Sequence, residues 1–77
     1  MRKDWHMRIQ VNGESRAVTD GINLQQLLER FGIQPETVAV EVNEIVVARE
    51  KYADTELKEN DAVEIVRMVG GGSLNRG

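Results

Sequence analysis

The sequence contains no cysteine, which removes disulfides, thiolate metal sites and cysteine nucleophiles together. A single histidine, His6, excludes a histidine-rich metal site. The only two serines, Ser15 and Ser73, lie in no nucleophile-elbow pattern. Basic residues are too few and too scattered for a phosphate-backbone binder: ten Lys and Arg stand against thirteen Asp and Glu, for a net charge of -3. The longest apolar run is Ile45–Ala48, far short of the roughly 20 residues that cross a bilayer. These absences point away from nucleic acid, membranes and secretion, and the expected location is the cytoplasm. The acidic residues mostly alternate with apolar ones, as on a solvated sheet face. No catalytic residue and no metal ligand is therefore assigned. Seventy-seven residues allow one domain, burying about 60% of its unfolded surface. That suffices for one sheet and one helix, with little left for a deep cleft.

What is present has a clear order. Met7-Arg8-Ile9-Gln10-Val11 alternates apolar with polar residues, the period of a half-buried strand. Asn12-Gly13 follows, and both residues tolerate the positive φ of a tight hairpin turn, so Glu14–Val18 returns as a second strand. Thr19-Asp20-Gly21 breaks it. Asn23 with Gln26 three residues on predicts a capping box. Leu24, Leu27, Leu28 and Phe31 then form one stripe of a short helix over Leu24–Phe31. Gly32 suits a left-handed helix end, and Pro35 prevents a restart. Val38–Val42, Ile45–Val47 and Ala62–Met68 are the remaining strands. Asn43-Glu44 forms a tight turn, and an irregular stretch from Arg49 to Leu57 is anchored by Tyr52 and Leu57. A strand parallel to an earlier one needs a crossover, and only the helix can supply it. The expected fold is α+β: a β-grasp, with a mixed four- to five-stranded sheet wrapped around one main helix.

The division expected is a domain over residues 7–69, an N-terminal extension over 1–6 and a C-terminal arm and tail over 70–77. Terminal residues order only where something ties them down, so both ends are expected to be disordered. Gly70-Gly71-Gly72 fails as a phosphate cradle, because neither a Lys-Ser/Thr pair nor a helix follows. In the last strand, regular alternation turns Val63 and Ile65 to the core and Glu64, Val66 and Met68 outward. Val66 and Met68 are thus candidates for a partner-binding patch, with Arg67 and Arg49 as charged contacts.

Two stretches, Val40-Glu41-Val42-Asn43-Glu44-Ile45-Val46-Val47-Ala48-Arg49-Glu50-Lys51-Tyr52 and Asp61-Ala62-Val63-Glu64-Ile65-Val66-Arg67-Met68-Val69-Gly70-Gly71-Gly72, resemble the ThiS family, the ubiquitin-like sulfur carriers of thiamine biosynthesis. Met7–Glu14 looks like that family's first hairpin. The resemblance implies a carrier with no activity and no bound cofactor of its own. It implies that the carboxylate of Gly72, at the end of the arm Gly70-Gly71, is activated with ATP by a ubiquitin-activating-like adenylyltransferase of the ThiF type. Conversion to a thiocarboxylate follows, and the sulfur passes to a thiazole synthase of the ThiG type. The sequence departs from the family in continuing through Ser73-Leu74-Asn75-Arg76-Gly77, which leaves Gly72 in a peptide bond. A protease that removes residues 73–77, a natural end at Gly72, or a lost or altered carrier function would each account for this. Leu74 and Arg76 argue against Gly77 as the reactive end. Competing readings are the small subunit of molybdopterin synthase or a carrier for another sulfur pathway, a ubiquitin-like protein modifier, and an interaction domain with an inert tail.

Overall fold

The computed structural model describes residues 6–68. Met1–Trp5 and Val69–Gly77 lie outside the described residues, and with them the expected arm and most of the N-terminal extension.

Strand β1, His6–Val11, begins one residue before the Met7 expected, with His6 opposite Thr19. It forms an antiparallel hairpin with β2, Glu14–Thr19. Asn12 and Gly13 take φ of 51° and 84°, the positive values that let a two-residue turn match the strands' right-handed twist. Helix α1, Leu24–Arg30, starts on the expected capping box. Asn23 Oδ1 accepts the Gln26 N–H at 2.8 Å, and Gln26 Oε1 accepts the Asn23 N–H at 3.0 Å. Each bond satisfies an otherwise orphaned donor, a contribution of about 1 kcal/mol for such caps. The helix stops at Arg30 with Phe31 as its cap residue, one position earlier than the stripe suggested. Gly32 is left-handed at φ 71°, and the Ile33 N–H turns back to the Leu28 carbonyl at 2.9 Å.

Pro35 does more than block the helix, since it opens a 3-10 turn over Pro35–Thr37 that leads into β3, Val38–Val42. After Asn43 and Glu44, both at positive φ, comes the short β4, Ile45–Val47. The stretch expected to be irregular contains a 3-10 helix, Arg49–Asp54. It is tied to the start of α1, where Leu24 N–H donates to Thr55 O and Leu57 N–H donates to Ile22 O. Tyr52 and Leu57 are its buried anchors, each 2% exposed. Burial raises the Tyr52 pKa above its ordinary value, opposed by the nearby Arg49 guanidinium.

The final strand, β5, spans Ala62–Arg67. Sheet order is β2-β1-β5-β3-β4, with β1 parallel to β5 and all other neighbours antiparallel. The crossover to the far side of β5 runs through α1, which packs on one face of the sheet. Leu24, Leu27 and Leu28 bury completely there against Ile9, Val11, Val40 and Val63. This is the expected β-grasp, with five strands. Phe31 and Ile65, expected in the core, are half-buried at its edge. Phe31 and Ile33, just past the helix, are partly buried against the core and share a cleft with Ile65.

Candidate functional site: the end of the last strand

The region of interest is where β5 leads toward the glycine run. Backbone pairing fixes its two faces. Val40 lies opposite Ile65 and Val38 opposite Arg67 in the β3–β5 ladder, so Val63, Ile65 and Arg67 share the helix side. Glu64, Val66 and Met68 face outward. Val66 is 52% exposed and Met68 53%, as the alternation predicted. Met68 is still attached to the domain, its N–H donating to the Thr37 carbonyl at 2.9 Å.

Val66 stands opposite Ala39 on the outward face, and Glu64 opposite Glu41. Val46 of β4, opposite Glu41, extends the same face and is 68% exposed. Its neighbour Ile45 is exposed to 70% at the sheet corner. The outward surface thus has an apolar end at Met68, Val66 and Ala39, and two carboxylates further in. Val46 and Ile45 were not singled out in the sequence. Only their place on a three-residue edge strand exposes them, and that place depends on distant pairing.

The four residues expected to meet a partner do not share a face. Arg67 lies on the helix side, lining a shallow cleft of about 400 Å³ with Arg16, Phe31, Ile33 and Ile65. Arg16 caps Phe31 there, its guanidinium carbon 5.5 Å from the ring centroid, and also pairs with Glu14 at 3.4 Å. Arg49 opens the second 3-10 helix, beyond β4 and two strands away from β5. The structure therefore brings together Val66 and Met68, and separates Arg67 and Arg49 from them. Gly70, Gly71 and Gly72 lie outside the described residues. Among the described residues no three His, Cys, Asp or Glu side chains group as a metal site, and no helix is long and apolar enough to cross a membrane.

Among the described residues one α-helix packs on a five-stranded mixed sheet, a β-grasp of the ubiquitin-like class of α+β domains, and in the sequence its last strand is followed closely by Gly70-Gly71-Gly72. Within that class the ThiS family model matches residues 9–72, and the chain belongs to the ThiS family. It is 35% identical over 65 residues to the sulfur carrier protein ThiS of Bacillus subtilis, covering 83% of this chain and 98% of that one. The crystal structure of the thiamine biosynthesis protein ThiS from Geobacter metallireducens superposes with a TM-score of 0.76 at 38% identity, covering 86% of this chain and 100% of that one. The chain is also 44% identical over 66 residues to a thiazole synthase of Magnetococcus marinus, covering 86% of this chain. It spans only about a fifth of the thiazole synthases it matches, 20% and 21% of their lengths.

Proposed function

We propose that this chain is a sulfur carrier of thiamine biosynthesis, a substrate of other enzymes and not itself a catalyst. The observation that carries the reading is that the family match runs through β5 and closes on Gly72. In this reading the Gly72 carboxylate attacks the α-phosphorus of ATP in a ThiF-type adenylyltransferase, releasing pyrophosphate and leaving an acyl adenylate. Sulfide-level sulfur from a donor then attacks the acyl carbon and displaces AMP, and the resulting thiocarboxylate gives its sulfur to a ThiG-type thiazole synthase, which returns the Gly72 carboxylate. A segment similar to this chain forms about a fifth of the Magnetococcus marinus thiazole synthase, which supports a partner of that kind.

The residues suit the chemistry. An acyl adenylate forms only deep in the nucleotide site of the partner, and Gly70-Gly71-Gly72 presents no Cβ to obstruct a narrow channel. Ordering such an arm opposes docking by roughly 1–2 kcal/mol per residue, so the folded face has to supply compensating contacts. Val66 and Met68 supply apolar area at the root of the arm, and the flexible thioether of Met68 can adapt to more than one partner. The carboxylate is free only when residues 73–77 are absent, so the reading includes a protease that removes them or a natural end at Gly72.

Incubation with the adenylyltransferase, ATP and a sulfur donor, followed by intact mass, tests this. Replacement of one oxygen by one sulfur supports a carrier. A ladder of protein adducts would instead indicate a modifier, and an unchanged mass an inert domain. The docking face has its own test. Val66→Asp with Met68→Asp is expected to raise KM in ATP–pyrophosphate exchange by about tenfold or more, the usual cost of losing apolar anchors at an interface. Little change in kcat is expected. Wild-type KM in the double variant would remove this face from the docking surface.

A further inference from the structure

At Ile65 the last strand loses one of its two neighbours. The ladder between β1 and β5 covers only Gln10 opposite Ala62 and Val11 opposite Val63, because the Asn12-Gly13 turn carries the chain away from β5. On the other side, Asn43 N–H donates to Ala62 O and Met68 N–H to Thr37 O. The even-numbered residues of β5 therefore bond toward β3, and the backbone groups of Val63, Ile65 and Arg67 point toward β1. At Ile65 no β1 backbone remains to meet them. The Asn12 side chain does so instead. Its Oδ1 accepts the Ile65 N–H at 2.7 Å and its Nδ2 donates to the Ile65 carbonyl at 3.3 Å. One amide stands in for a strand residue and satisfies both backbone groups, which only Asn or Gln can do in this way. Asn also tolerates the left-handed φ of 51° that the turn demands at this position.

We propose that Asn12 is a positioning residue for the donor arm: it clamps β5 at Ile65 and so fixes where the rigid domain stops and the arm begins. Past the clamp, Val66–Met68 are held from the β3 side alone among the described residues. Without it, fraying of β5 would reach back toward Ile65, lengthening the segment that each partner must order on docking. The same fraying would loosen Val66 and Met68, the apolar pair at the arm's root. The kinetic part of the proposal rests on the sulfur-carrier reading; the structural part does not.

Asn12→Gly is the informative variant, because a Gly-Gly turn keeps positive φ without strain while removing both side-chain bonds. Amide hydrogen exchange of the folded protein is expected to accelerate about tenfold or more at Ile65, Val66 and Met68, the scale of one lost hydrogen bond. Exchange at Leu27 and Val40 relative to global stability should stay unchanged. With the Gly72-ended protein, KM in ATP–pyrophosphate exchange should rise several-fold at constant kcat. Unchanged protection at Ile65–Met68, or equal acceleration at all amides, overturns the clamp. Local acceleration with an unchanged KM overturns its positioning role. If the unsubstituted Gly72-ended protein supports no pyrophosphate exchange, the carrier reading fails, whereas the exchange of Ile65–Met68 still decides the clamp.

Discussion

Gly71→Val, introduced into a protein ending at Gly72, is expected to abolish thiocarboxylate formation while leaving thermal stability unchanged. On the sulfur-carrier reading a glycine run is needed because the acyl group has to reach a nucleotide enclosed by another protein. A β-branched side chain one residue from the reacting carboxylate adds bulk at the narrowest point. It also restricts the backbone to conformations that a β-carbon allows. Gly71 lies three residues past Met68, the last of the described residues, and a glycine brings no side chain to the core, so the fold is expected to lose little by its replacement. ATP–pyrophosphate exchange with the adenylyltransferase and a melting curve, measured on the same sample, check both halves. Activity at the unsubstituted level would show that the arm does not thread a tight channel. A large fall in melting temperature would show that it packs on the domain.

The second large effect concerns the core. Leu28→Ala should destabilise the domain by roughly 2–5 kcal/mol, from lost burial and the cavity left behind. Leu28 is wholly buried in the layer between α1 and the sheet, and domains have only about 5–15 kcal/mol of stability in all. The expectation is a shifted urea midpoint with an unchanged slope. Because α1 provides the crossover that sets β5 beside β1, this substitution should also reduce acceptor activity in proportion to the unfolded fraction, unlike Gly71→Val. A loss below about 1 kcal/mol would mean that the site collapses around the smaller side chain.

Much of this architecture is legible locally. Asn12-Gly13 and Gly32 occur where positive φ is required, and Asn23 with Gln26 marks a helix start that the hydrogen bonds reproduce. The phase of β5 follows from alternation alone, which places Val66 and Met68 outward. The same alternation puts Arg67 on the helix side, so grouping it with its neighbours as one contact surface ignored the period of two. Phe31 continued the leucine stripe by spacing, yet the helix ends before it and leaves it half-buried under Arg16. Exposure of Ile45 and Val46 depends on β4 being the sheet edge, a pairing between distant segments that no local pattern encodes. The Asn12–Ile65 clamp joins residues 53 positions apart, and in the sequence Asn12 reads only as a turn residue. The glycine arm is the reverse case. Its role rests on family resemblance and on the chemistry of a segment without side chains.

The central claim is that Gly72 is the acceptor of sulfur, and the length of the chain tests it directly. The 77-residue protein and a form ending at Gly72 would each be incubated with adenylyltransferase, ATP and a sulfur donor, with no protease present, and then weighed intact. The account predicts one sulfur in place of one oxygen in the shorter form and no change in the longer, because adenylation needs a free carboxylate directly after the glycine run. Equal sulfur incorporation in both would place the reactive group elsewhere than Gly72 and contradict the account.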